Sequence, residues 1–219
     1  MEFRELGEKR SLRRPLVEDD ELDETPPELD GDMAVAAARY DGGEYLDAEI
    51  GGDLSRSVLS RVNLTGSRSD LLTLADVRID HADLSNAAWS RLTARRVELT
   101  SCRATGWRVA FDLAWDLYVG DTGLNYATIE LGKVKGLVVF ERCAFRDVRI
   151  GGDLSHVLFL DCDLAGAEFL ATRALGCDLR TSRLAGARGL LSLRGATVSG
   201  DQVVSVAEQL AVEVGLRIT

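Results

Sequence analysis

Ala82-Asp83-Leu84-Ser85-Asn86 decides the fold, because stepping by five residues in either direction finds the same pattern again. Upstream of Leu84 the steps land on Ile79, Leu74, Leu64, Leu59 and Leu54, with Ser69 as the polar exception. Downstream they land on Trp89, Ala94, Leu99, Ala104, Val109, Ala114, Val119, Leu124, Ile129 and Val134. Two residues before these centres the chain prefers something small or slim, as at Gly52, Ser57, Val62, Val77, Ala82, Ala87, Val97, Cys102 and Ala127. A period of five fits neither the 3.6 of a helix nor the 2.0 of a strand. A short repeat sustained this long is the mark of a solenoid.

The units Ala82-Asp83-Leu84-Ser85-Asn86, Cys162-Asp163-Leu164-Ala165-Gly166 and Cys177-Asp178-Leu179-Arg180-Thr181 resemble those of the pentapeptide-repeat family, over roughly residues 46 to 190. The resemblance implies an all-β fold, a right-handed quadrilateral β-helix with four units per coil and a C-terminal capping α-helix. The residues agree with it. A centre and the residue two before it share one side of an extended segment, and the other positions are mostly Arg, Asp, Ser, Thr and Gly. The centres Leu54, Leu64, Leu84, Leu99, Leu124, Phe145, Leu164, Phe169 and Leu179 are expected to fill the interior. About seven coils at ~4.8 Å would make a rod of roughly 35 Å.

The chain of 219 residues carries a formal charge of −10, distributed unevenly. Residues 1–47 hold 15 acidic and 6 basic side chains, whereas residues 48–190 hold 18 of each. Residues 1–45 therefore read as an acidic, disordered leader, with Pro15, Pro26 and Pro27 and the run Glu18-Asp19-Asp20-Glu21. Within it Arg10, Arg13 and Arg14 form a basic cluster, and the alternative is a tail that docks on a basic partner. No apolar leader segment or spanning stretch is present, which reads as a soluble, cytoplasmic chain with no membrane contact.

Cys102, Cys143, Cys162 and Cys177 all occupy the small inward position, so they read as core filling and not as a metal or disulfide set. Ile50-Gly51-Gly52-Asp53-Leu54-Ser55 recurs as Ile150-Gly151-Gly152-Asp153-Leu154-Ser155, and each pair of glycines stands where the pattern slips by one residue. Beyond Val134 the register gains a residue, placing Phe140, Phe145 and Ile150 at centres, and loses it at Leu154. From Thr105 to Gly123 the pattern is weakest. Trp107 stands where a small residue belongs, and Trp115 and Tyr118 point outward, so this aromatic group is either a local repacking, a protruding loop or a partner-binding surface.

Residues 191–219 form the expected cap. Ser199 and Gln202 have the spacing of a capping box, and Val203, Val206, Leu210 and Val214 make one apolar stripe before the stop at Gly215. Val204, Ala211, Leu216 and Ile218 remain apolar without a place in the monomer. They are the expected interface of a homodimer joined through the C-terminal end, as in characterised members of the family.

Residues suited to catalysis are scarce. His81 and His156 lie on different faces, and no nucleophile elbow, metal-ligand spacing or phosphate loop is present. We expect no enzyme, no cofactor and no metal. The resemblance to DNA-mimicking, gyrase-interacting quinolone-resistance members implies a protein partner, DNA gyrase, and no direct contact with nucleic acid. The balanced charge of residues 48–190 argues against such a mimic and for a protein-binding scaffold whose partner the sequence does not name.

Overall fold

The computed structural model of the chain describes residues 2–6 and 10–217. Backbone geometry explains the period of five. Asp76, His81, Asn86, Arg91, Arg96 and Ser101, spaced five apart, all have φ between 48° and 58°. A single left-handed residue turns an extended chain sharply, and short polar side chains tolerate it best. Each pentapeptide is thus a short straight side ended by a corner, and four sides close a coil.

The chain first forms a hairpin, β1 (Phe3–Glu5) with β2 (Ser11–Arg13). The solenoid strands follow as β3 (Gly31–Ala36), β4 (Arg39–Asp41), β5 (Ile50–Ser60), β6 (Arg68–Ser69), β7 (Leu72–Asp80), β8 (Ala88–Thr100) and β9 (Arg108–Gly120). Then come β10 (Thr128–Leu131), β11 (Val134–Glu141), β12 (Arg149–Asp153), β13 (Val157–Leu160) and β14 (Glu168–Arg173). All solenoid pairings are parallel, and most ladders step by twenty residues, as in Leu54↔Leu74↔Ala94↔Ala114. We number the sides from that ladder. Face two carries Leu59, Ile79, Leu99, Val119, Phe140 and Phe159 at its centres. Face four, opposite, carries Trp89, Val109, Ile129, Ile150 and Phe169.

The interior is one continuous apolar cluster from Leu29 to Val206. Leu54, Leu64, Leu84, Leu99, Leu124, Phe145, Leu164, Phe169 and Leu179 all lie in it. Phe140 and Phe159 stack at 5.3 Å, with Phe145 and Phe169 set edge-on around them. The four cysteines are free and buried. Burial pushes the thiols of Cys102 and Cys177 up to about 11 and about 12.

Register slips fall at identifiable residues. β11 shifts against β9 between Lys135 and Val138, at Gly136 (φ 62°), and β12 shifts against β14 between Gly152 and Asp153. Gly152 has φ 83°, and a Cβ there would collide with the carbonyl oxygen of Leu131. Only glycine serves at such a position.

Residues 105–123 do not loop out. β9 runs unbroken through most of them, and the bulge against β8 lets Phe111 join Trp107 inside the coil.

The leader does not match the expectation of disorder, and the solenoid does not start at residue 46. Coil pairing begins with Asp23 against Ala38, and β3 and β4 stack on β5. The physical reason is alternation. Leu29, Met33, Ala38 and Tyr40 turn inward, while Asp30, Asp32 and Asp41 stay in water, so a high acidic count coexists with a buried side. At the far end the pairing extends to Thr197.

Helix α1 (Gly200–Glu213) closes the last coil with the Ser199–Gln202 capping box. The Gln202 amide donates to the carbonyls of Leu179 and Ser182, both at 2.5 Å. At the other end the Glu213 carboxylate accepts the N–H groups of Gly189, Leu190 and Leu191. The covering stripe differs from the expected one. Val206 is buried and Leu210 packs on the core, but Val203 and Val214 are exposed. Gln202, not Val203, supplies the first inward contact, because it saturates carbonyls at the end of the coil. Among the described residues, no helix is long and apolar enough to cross a membrane.

Candidate partner-binding face

Face two departs from the rest of the solenoid in its outward residues. The position one before each centre forms the axial ladder Val58↔Arg78↔Glu98↔Tyr118↔Val139↔Leu158, extended by Leu158↔Asp178. Three successive coils thus direct Tyr118, Val139 and Leu158 outward, with Glu98 on one side and Asp178 on the other. Water does not reach them, because the N-terminal segment lies on top.

That segment runs along the rod from the C-terminal coils toward the N-terminal ones. Arg10 donates to Asp178 at 2.9 Å. Leu12, fully buried, packs on Tyr118, Val139 and Leu158, and the half-buried Leu6, Leu137 and Leu160 surround the cluster. Arg14 binds Glu98 through two nitrogens at 3.1 and 3.2 Å, and Arg4 reaches the same carboxylate at 3.3 Å. The Leu16 N–H donates to Asp76 Oδ1 at 2.9 Å. Asp19 then meets Arg39, at 3.0 Å, and Arg78. The fit is geometric. Five ladder steps separate Asp178 from Arg78, about 24 Å at ~4.8 Å each, and nine extended residues span about 30 Å. Strand alternation sends residues 10, 12 and 14 toward the coils and leaves Ser11 and Arg13 more exposed.

The electrostatics follow from this burial. The hydrogen bond from Arg180, and then that from Arg10, holds the Asp178 carboxyl down at about 2, against the opposing effect of burial. Burial raises Asp116 instead, although Arg13 lies 3.8 Å away and the Leu137 N–H donates to it. Burial, and then its hydrogen bond to Glu141, pushes the Tyr118 phenol up to about 12.

Of the three aromatic residues singled out in the sequence, Trp107 is inside the coil, edge-on to Trp89 at 5.5 Å, and is closed to any partner. Its ring is also edge-on to Phe111 at 6.4 Å. Tyr118 belongs to face two. Trp115 is half-buried at its margin, with Lys135 at 5.4 Å and Arg13 at 6.0 Å from its ring. The sequence reading missed Val139, Leu158, Glu98, Asp178 and Leu12. The signal was present, since three successive units carry an apolar residue at an outward position. At the C-terminal end, Val204 and Leu216 are exposed (79% and 62%) and Ala211 is half-buried. Ile218 lies outside the described residues. Among the described residues, no group of three or more His, Cys, Asp or Glu is placed to hold a metal.

No family model and no curated protein matches the chain. Among solved structures, a trypsin-treated variant of QnrB1, a plasmid-mediated fluoroquinolone resistance protein, is 23% identical, over 84% of this chain and 99% of its own, with a TM-score of 0.45. Full-length QnrB1 is 20% identical over 79% and 99%, with a TM-score of 0.40. HetL, a pentapeptide repeat protein involved in heterocyst differentiation regulation from the cyanobacterium Nostoc sp. strain PCC 7120, is 16% identical over 74% and 85%, with a TM-score of 0.27. Fold assignment rests on the coil itself: a corner every five residues, ladders stepping by about twenty, and inward centres. By that geometry the chain has the pentapeptide-repeat β-helix fold, closed by a single C-terminal helix.

Proposed function

We propose that the chain is a non-catalytic protein-binding module that works through face two. One observation carries the reading: this face already holds a polypeptide. Tyr118, Val139 and Leu158 are outward residues of the coils, yet they are buried by Leu12 of a segment outside the solenoid. A surface with an apolar centre and charged margins has the anatomy of a protein interface. The DNA-mimic form of the reading, with DNA gyrase as partner, calls for an open acidic stripe. Arg4, Arg10, Arg13 and Arg14 cover Glu98, Asp116 and Asp178 in the intact chain, so the module is proposed without that partner.

A photo-crosslinking amino acid placed at Leu160, on the margin of face two, tests the reading in cells that make the protein. A discrete protein adduct from Leu160, missing when the probe stands at Glu130 on face four, is the expected result. Identical adducts from both positions, or none from Leu160, would overturn it. A supercoiling assay with purified DNA gyrase tests the mimic form separately. Self-association is proposed at an exposed apolar surface around Val204 and Leu216.

A further inference from the structure

Residues 2–6 and 10–19 are bound like a ligand and unlike a part of the coil. Among the described residues, none of their backbone groups hydrogen-bonds to a backbone group of the solenoid; β1 and β2 pair only with each other. Attachment is through side chains: arginine on carboxylate at each end and one leucine between them. The main interior cluster begins at Leu29 and is complete without this segment. Recognition of alternate side chains of an extended chain is how strand-like peptides are read.

We infer that face two is a recognition groove for an extended segment of a partner protein with the pattern Arg-x-Leu-x-Arg, and that residues 10–14 occupy it in cis. The inference rests on the protein-binding reading above and names the chemistry of the partner. Asp178 selects the first arginine, the Tyr118–Val139–Leu158 slot selects the leucine, and Glu98 selects the second arginine. Spacing is set by the coils, because Glu98 and Asp178 stand on either side of three apolar rungs. An acidic or uniformly polar segment would leave the buried Glu98 carboxylate facing like charge or an apolar slot unfilled, which is strongly unfavourable, whereas Asp178 keeps Arg180 beside it.

The cis segment makes the groove conditional. A tethered ligand has an effective concentration on the order of 1 mM, so a cis segment of ~10 µM intrinsic affinity would weaken any competing segment about a hundredfold. A partner must therefore outcompete residues 10–14, or a change in the leader must release them.

The test uses the full-length chain and a fluorescein-labelled synthetic peptide of residues 10–19. Wild type is compared with a leader variant carrying Arg10→Glu, Leu12→Glu and Arg14→Glu, by fluorescence anisotropy. The leader variant should keep the circular dichroism spectrum of the wild type and bind the peptide about a hundredfold more tightly. Adding Glu98→Gln and Asp178→Asn to it should abolish binding, as should Leu12→Glu in the peptide. Equal binding by wild type and leader variant, or none by either, would overturn the proposal. So would loss of the β spectrum in the leader variant, since the segment would then belong to the fold. A wild-type dimer that becomes monomeric in the leader variant would place a second copy's leader in the groove, and the proposal would fail. If the Leu160 adduct is found while the peptide fails to bind, the protein-binding reading survives and this one does not.

Discussion

The guanidinium of Arg4 lies 3.8 Å above the ring centroid of Tyr118, while the Tyr118 hydroxyl donates to Glu141 at 2.6 Å. A charged residue near the start of the chain thus roofs an aromatic residue in its middle. Burying a leucine such as Leu12 contributes about 1.5–3 kcal/mol, and a desolvated cation–π contact adds up to ~2 kcal/mol. The leader is therefore held firmly, yet by few groups.

Trypsin reports that hold directly. Arg10 and Arg13 should resist cleavage in the wild type, because strand residues docked on the coils do not fit a protease cleft. In Leu12→Glu they should be cut early, leaving a resistant solenoid. Equal digestion of the two proteins would show that Leu12 does not hold the segment down.

Acid should loosen the same segment. The folded pKa of Asp178, at about 2, is below the ordinary carboxylate value of about 3.9; Arg180 supplies the larger part of that depression and stays on Asp178 when the leader lifts, so only the part due to Arg10 is linked to release. A depressed acid contributes stability that is present above its unfolded pKa and lost as pH falls through the folded one. Hydrogen exchange of the Leu6 and Arg14 amides, which donate to the carbonyls of Arg10 and Glu2, reads the change. Protection at these amides should hold at pH 4 and decline toward pH 2, whereas in Asp178→Asn the decline should be flattened.

Corner and centre residues should separate in a mutation series. Leu84→Ala empties a fully buried centre and should cost about 2–5 kcal/mol in urea denaturation. Asn86 turns the corner at φ 57°, so Asn86→Ala should cost about 1 kcal/mol and Asn86→Gly clearly less. Equal costs for all three would contradict the assignment of centre and corner.

The thiols should be inert while the coils are intact. Burial raises Cys102 and Cys177 to about 11 and about 12, and only the thiolate reacts. An aromatic disulfide reagent at pH 8 should label none of the four cysteines in native protein and all four in guanidinium. Rapid labelling of the native chain would show that the interior opens.

Association is expected at the helix end. Val204 and Leu216 expose apolar surface that an isologous contact would cover. Light scattering should give a dimer for the intact protein and a monomer for the Val204→Glu, Leu216→Glu double variant. A monomeric mass for the intact protein at micromolar concentration ends this proposal.

The solenoid was legible from Leu84 outward because its period is a backbone property: one left-handed corner per five residues imposes the same choice on every unit. Slips at Gly136 and Gly152 were legible for the same reason, since the pattern moves by one residue where the backbone bulges. Face two was not read. Tyr118, Val139 and Leu158 each precede a centre, and a pattern search that scores only inward positions passes over them. The leader was misjudged because composition averages over alternation: Leu29, Met33 and Tyr40 are diluted among acidic neighbours that never enter the core. Nothing local in Arg10 or Leu12 announces a contact with residues more than a hundred positions away.

Arg10 and Asp178 are separated by 168 residues in sequence. Repeat proteins change length readily, because one more coil costs the stack nothing. Here the strap spans a fixed number of coils, with its arginines set for Glu98 and Asp178. Duplicating a coil between them would carry Asp178 away by ~4.8 Å, and losing one would bring it as much too near. The N-terminal segment is thus a ruler for the rod, and it can be laid down only after the penultimate coils exist to receive its first residues.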